Sequence, residues 1–307
     1  MSSEDTSARG DSGLGVALIA GSAVAYSTAG FFTRLIQLDL WTLILWRGLF
    51  STAFLLGVAH VKHGRQALRP FRELDRWGWV AAGFSTAAMF CYLAALRNTS
   101  VADVAIIYGT APFVTAAVAR IVLGERTTSV TFWCSAVALT GVALMFGGSS
   151  VSHAIDGDLL ALAMTVLMAL MIIAARRSQS ASSLPIAAIS SLASSIVGAP
   201  LAHPAQPHLV QLAELALFGI TQLGLGLLLL TAGAKRLSAS RVALIGGLDV
   251  PLAPVWVWIA YDETPSPATV AGGVTVIAAV ILNTLLSSSR SPTQPRRKLR
   301  LRLWRVG

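Results

Sequence analysis

Four long segments of this chain, 14–33, 77–96, 210–234 and 242–261, carry almost no charged side chain. Each is long enough, at roughly 1.5 Å rise per helical residue, to cross a hydrocarbon layer about 30 Å thick. A backbone in lipid has no water to bond, so a crossing segment must pair its own N–H and C=O groups, as an α-helix does. Barrel strands would alternate polar and apolar residues with period two, and these segments do not. The rest of the chain agrees: 55% of the 307 residues are apolar and 12% charged, against roughly 25% charged in a soluble domain. So few charges cannot cover a water-facing surface, and much of the solvent around the fold is expected to be lipid.

The same reasoning places helices at 14–36, 40–60, 77–97, 101–122, 128–147, 157–176, 184–203, 211–234, 240–260 and 267–286. The fold class expected is an all-α membrane protein with ten transmembrane helices. With the N-terminus in the cytoplasm, twenty Lys and Arg residues fall on the inner side and two, Arg34 and Arg97, on the outer, while Arg47 lies inside a helix. Basic residues are retained on the cytoplasmic side, so both termini are expected there. Residues 1–13 read as a cytoplasmic tail and 287–307 as a basic one that sits against anionic headgroups or stays solvated. Because residues 1–13 are mildly acidic, no removable signal segment is expected. The net charge of +9 follows from this topology, and no nucleic-acid partner is expected. Cys91 and Cys134 lie inside apolar segments and read as packing residues, not as a disulfide or metal pair.

An internal repeat divides the chain into 14–147 and 155–286. Ala94-Ala95-Leu96 with Ser100–Ala105 corresponds to Ala232-Gly233-Ala234 with Ser238–Ala243 at an offset of 138, and the same offset carries Glu125 to Glu263. Thr110-Ala111-Pro112 corresponds to Asp249-Val250-Pro251 with a drift of one residue. Five helices per half is an odd number, so the second copy enters the membrane from the opposite side. Inverted five-helix repeats of this kind build transporters around a central site.

On these residues the chain resembles the EamA-type members of the drug/metabolite transporter superfamily. The resemblance spans about 14–286 and rests on the segments Pro112 to Glu125 and Pro251 to Glu263, on Trp46-Arg47, and on the run Tyr26–Phe32. Many members of that family have Trp where Tyr26 stands and Glu where Asp249 stands, departures that bear on substrate fit. The resemblance implies a ten-helix carrier of the bacterial cytoplasmic membrane that moves amino acids or other small metabolites, usually outward.

Several residues are candidates to line the pathway. Asp249 falls near the middle of the ninth helix, where a charged side chain costs at least about 2.5 kcal/mol. Pro251 removes a backbone donor and Gly246-Gly247 loosens the preceding turn, so the helix is expected to break there, and Pro112 marks the corresponding place in the first half. A carboxylate at such a break suits a substrate ammonium or a coupling proton, or else a structural partner on a neighbouring helix. Arg47, about 10 Å inside the second helix, can pair with Asp249, bind a substrate carboxylate, or snorkel to the headgroups. Tyr26, Tyr92, Tyr108, Thr110, Thr221 and Gln222 can line a polar cavity or merely bond neighbouring helices.

Other chemistries find little support. No Gly-x-x-x-x-Gly-Lys phosphate loop is present, the five histidines cluster at helix ends, and no nucleophile stands beside a base. No cofactor or metal is expected. The rival readings are a membrane enzyme on lipid-linked substrates and a non-transporting sensor or assembly subunit. The expected partners are a small solute and membrane lipid, with a proton as candidate coupling ion and a second copy of the chain as candidate neighbour.

Overall fold

The computed structural model describes residues 3–99, 101–146, 155–180, 182–262 and 264–288. Glu263 and the basic tail beyond Ser288 lie outside them. The fold is all helical. The first half contains α1 (Ser3–Ser27), α2 (Ala29–Leu35), α3 (Leu40–His63), the short α4 (Arg69–Arg72), α5 (Arg76–Asn98), α6 (Val101–Gly109), α7 (Ala111–Leu123) and α8 (Ser129–Phe146). The second contains α9 (Ile155–Arg177), α10 (Leu184–Gly198), α11 (Leu209–Phe218), a π-helical segment Gly219–Leu225, α12 (Gly226–Ala234), α13 (Ala239–Gly246), α14 (Asp249–Tyr261) and α15 (Pro267–Ser288). Among the described residues nine helices are long and apolar enough to span a membrane, ten when α6 and α7, bent by 42°, are taken as one span.

Local chemistry explains most boundaries. Asp39 caps α3 by accepting hydrogen bonds from the Trp41 and Thr42 amides, both at 3.0 Å. Asp75 caps α5 through the Gly78 amide. Each cap satisfies donors that a helix start leaves orphaned. The helical backbone of α1 reaches back to Ser3, through the segment expected as a tail. The first span is interrupted at Thr28, whose hydroxyl bonds the Ala25 carbonyl at 2.7 Å.

The repeat is visible in the element boundaries. The pairs α6 and α13, α7 and α14, and α8 and α15 begin at Val101 and Ala239, Ala111 and Asp249, and Ser129 and Pro267, each pair 138 residues apart. Left-handed backbone ends α7 at Gly124 (φ 67°) and α14 at Asp262 (φ 52°), again 138 apart. The second copy puts a carboxylate residue where the first uses glycine, tolerable because Asp is among the few side chains that visit this region.

Small residues let the helices touch. A Cβ at Gly272 of α15 would lie 2.3 Å from the Gly141 carbonyl of α8, and one at Gly141 would lie 2.7 Å from the Gly272 carbonyl. The two backbones are in contact there, and Asn283 ties the same pair by donating to Thr131 Oγ1 at 3.0 Å. Serines of α10 join three helices: Ser191 meets Ser51 at 2.8 Å, Ser195 donates to the Leu45 carbonyl at 3.0 Å, and Ser190 donates to Ser85 at 2.9 Å. Interhelical bonds of this kind contribute about 0.6 kcal/mol each. Apolar packing fills the centre around Ile19, Leu55, Met171, Leu227, Leu244 and Ile245.

At the basic end a polar clasp joins the halves. Asp75 accepts from the Ser178 hydroxyl at 2.6 Å and the Gln179 amide at 3.1 Å, and its own amide donates to Ser180 Oγ. Lys235 donates to the Ser180 carbonyl at 2.6 Å. Nearby, Arg176 pairs with Glu125, Arg177 donates to the Val122 carbonyl at 2.5 Å, and Thr127 meets Ser240 at 2.9 Å. Burial pushes the Asp75 carboxyl up, but the donors around it outweigh that and hold it below the usual carboxylate range.

Two outcomes follow from this packing. Gly272→Leu forces backbones apart and lowers stability by about 2–3 kcal/mol or blocks folding, read as lost monodisperse protein in size-exclusion chromatography. Because folding lowers the Asp75 pKa, its stabilisation is complete above about pH 4 and is lost as the pH falls through the depressed folded value. Wild type therefore loses thermal stability in acid more steeply than Asp75→Asn, which is less stable at neutral pH, as melting followed by tryptophan fluorescence reads directly.

Candidate functional site

Two interrupted helices face each other at the middle of the bundle. α6 ends at Gly109 and α7 begins at Ala111, with Pro112 in its first turn. α13 ends at Gly246 and α14 begins at Asp249, with Pro251 in its first turn and Pro254 further inside. Proline has no N–H, so Pro254 leaves the Val250 carbonyl without its helical donor. A small cavity of about 20 Å³ separates the breaks, walled by Tyr108, Gly109 and Pro112 on one side and Gly247 and Val250 on the other. The Thr110 hydroxyl bonds the Ile107 carbonyl at 2.6 Å, so it closes the break in its own helix.

Asp249 is the first residue of α14. The amides of Asp249 and Val250 approach its carboxylate, and a half-helix N-terminus favours negative charge through its aligned peptide dipoles. Even so, Asp249 Oδ1 is buried with no hydrogen-bond partner. The carboxylate's field reaches Tyr26 of α1, Tyr92 of α5 and Tyr108 of α6.

Arg47 of α3 lies near two of the same tyrosines, Tyr26 and Tyr92. It is only 7% exposed, which rules out snorkelling to the headgroups. Nη1 donates to Gln222 Oε1 at 3.3 Å, Nη2 lies 3.2 Å from Met89 Sδ, and the guanidinium stands 5.1 Å from the centre of the Phe218 ring. Nε is buried without a partner. Arg47 and Asp249 form no ion pair, one of the pairings that sequence left open: Arg47 of the first half is held by Gln222 and Phe218 of the second, and Asp249 sits at the start of α14. The centre thus holds one cation and one anion near the same two tyrosines, and each charge retains an unused polar atom.

The π-helical segment places Gln222. Its extra backbone atoms per turn shift the register of the eighth span, a distortion frequent at functional sites. Gly219 opens that segment, and a Cβ there would lie 2.3 Å from the Arg47 carbonyl. Glycine is therefore what allows α3 to approach closely enough for Arg47 to reach Gln222. Thr221 is not brought in, since its hydroxyl bonds back to the Leu217 carbonyl at 2.7 Å. Sequence reasoning did not single out Met89, Phe218 or the Trp256 indole, which donates to Ser27 at 2.8 Å and ties α14 to α1. Phe218 and Met89 carry no signal of their own in an apolar helix. The Gly219-x-x-x-x-Gly224 spacing beside Gln222 was the one visible hint.

The sequence pattern of the EamA-like transporter family matches this chain twice, over residues 13–147 and 155–285. The chain is 28% identical over 199 residues to the pseudopaline exporter CntI of Pseudomonas aeruginosa (strain UCBPP-PA14), an overlap of 63% of this chain and 69% of that protein. A protein known from its crystal structure superposes with a TM-score of 0.76 at 17% identity, over 90% of this chain and 99% of its own. The last likeness concerns the fold alone.

Gly219→Ala tests the arrangement around Arg47. The added methyl must displace α3 from the π-helical segment, with a stability loss of about 1–3 kcal/mol, whereas Gly57→Ala, where a Cβ meets nothing within 4 Å, leaves the melting temperature of the purified protein within error of wild type.

Proposed function

The chain belongs to the EamA-like transporter family, and from that premise we propose that it exports a small metabolite carrying both an amino and a carboxylate group. It is a multi-pass membrane transporter and not an enzyme. The observation that carries the finer reading is that Arg47 Nε and Asp249 Oδ1 are both buried without a partner, with Tyr26 and Tyr92 near both charges. A guanidinium with an unused N–H takes a carboxylate. A carboxylate with an unused oxygen takes an ammonium. Tyr26, Tyr92 and Tyr108 can position the body of the solute, with Gln222 orienting Arg47 from behind. Thr110 and Thr221, whose hydroxyls serve local carbonyls, are left with no direct part.

Alternating access follows from the repeat. Each half contributes an interrupted fourth span, and these two interruptions lie on either side of the central cavity, so tilting one half against the other transfers the central site between faces. The clasp of Asp75, Arg176 and Lys235 closes the basic end, which we assign to the cytoplasm from the distribution of Lys and Arg. Similarity to a pseudopaline exporter supports outward movement. An unpaired Asp249 at the start of a half-helix also suits a proton as coupling ion. The two halves of the carrier are proposed to comprise 14–147 and 155–286.

Uptake of a mixed metabolite panel into inside-out vesicles, with and without a proton gradient, tests the reading. Wild type accumulates a zwitterionic solute, Asp249→Asn loses at least roughly tenfold in rate, and Arg47→Gln raises the apparent KM by roughly tenfold or more. Unchanged uptake by Asp249→Asn would remove that carboxylate from the site. No uptake of any solute by abundant, folded wild type would favour a non-transporting role.

A further inference from the structure

A second site lies away from the centre, at the basic end of the first half. The end of α7, the loop 124–128 and the start of α8 enclose a recess of about 510 Å³ lined by Ala116, Ala117, Arg120, Arg126, Phe132 and Trp133 among others. Its chemistry is divided by depth. Towards the basic face stand the two arginines, both exposed, and neither meets a carboxylate among the described residues. Towards the bilayer the wall is alanine and aromatic: Phe132 packs edge-on against Phe113 at 5.4 Å and against Trp133 at 5.7 Å, and Trp133 is 67% exposed. A recess that binds only a soluble anion has no need of an apolar wall continuous with the lipid-facing surface.

The loop that carries Arg126 is held rigid. Gly124 takes the left-handed conformation at φ 67°, and the Gly124 and Glu125 amides both turn to the Ala119 carbonyl. Consecutive side chains then point in opposite senses. Glu125 and Thr127 reach inward to Arg176 and Ser240 of the other half, while Arg126 turns outward to the recess beside Arg120. α8 also begins here, adding the positive end of a helix to the field of the arginines.

We propose that this recess binds an anionic phospholipid of the leaflet on the basic side, its phosphate between Arg120 and Arg126 and its acyl chains along Ala116, Ala117, Phe132 and Trp133. The inference needs only that the chain spans a membrane, and it is independent of the solute assigned to the central site. Basic recesses between helices at this depth suit anionic headgroups, and an interfacial tryptophan suits the boundary between headgroup and chain. A lipid held there steadies the loop whose next residues form the clasp between the halves.

The test is native mass spectrometry and thermal melting of the full-length purified protein, titrated with phosphatidylglycerol, phosphatidylcholine or glycerol phosphate. Wild type retains phosphatidylglycerol and is stabilised by it, and phosphatidylcholine does neither. Arg120→Gln combined with Arg126→Gln weakens apparent affinity by roughly ten- to thirtyfold. Lys62→Gln combined with Arg65→Gln, in the other basic loop, leaves it within about twofold. Should the double arginine variant fold poorly, Ala117→Phe fills the recess at unchanged charge and gives the same loss. Retention of phosphatidylglycerol by both recess variants at wild-type affinity would overturn the proposal. So would stabilisation by glycerol phosphate equal to that by the lipid, which marks a soluble phosphate site, or conversion of a dimer to a monomer in the variants, which marks an interface between copies.

Discussion

A polypeptide inside a bilayer has nothing but itself to bond to, and the architecture follows from where this chain breaks that requirement. Along most of its length each span is a continuous helix. The breaks at Gly109–Ala111 and Gly246–Asp249 interrupt the regular ladder and are bridged by tight turns, such as Thr110 N–H to the Ile107 carbonyl and Leu248 N–H to the Ile245 carbonyl. Lipid cannot support such irregular backbone. The molecule solves the problem by turning the two breaks towards each other in the interior, around a cavity of about 20 Å³. The broken spans therefore lie at the centre, and unbroken α8 and α15 pack together, with Gly141 against Gly272.

The two buried charges at the centre each rest on an irregular helix. Asp249 is tolerable at depth because it begins a half-helix instead of interrupting a whole one. Arg47 is tolerable because a distorted eighth span offers it Gln222 and the Phe218 face, and Gly219 lets the two backbones meet. Neither charge neutralises the other. Arg47 Nε and Asp249 Oδ1 both stay buried without a partner.

The ends of the bundle do different work from the centre. At the basic end, side chains from both halves interlock through Asp75, Arg176, Lys235 and Thr127. At the opposite end the links are sparser in charge: Thr99 lies 2.9 Å from Asp158 Oδ1, the His203 amide donates to Thr42, and the Trp46 indole donates to the Pro204 carbonyl. The loop 124–128 serves both the clasp and the recess of Arg120 and Arg126, which couples the membrane surface to the contact between halves.

By itself the sequence determined the class of fold, the places of the spans and the repeat. These follow from local facts: uncharged runs of sufficient length, and an offset of 138 that recurs where the last three helices of each half begin. It also marked Asp249, Arg47, Gln222 and the three tyrosines, because polar groups are rare in apolar helices and each is conspicuous. What only the tertiary structure decided is which of these meet. Arg47 and Gln222 are 175 residues apart, Trp256 and Ser27 229, and no periodicity along the chain encodes such distances. Nor could spacing tell Gln222, turned inward by a π-helical register shift, from Thr221 beside it, turned back on its own helix. In a membrane every face of a helix is apolar enough to be buried, so the sequence tells where a helix lies and leaves to packing which of its faces looks inward.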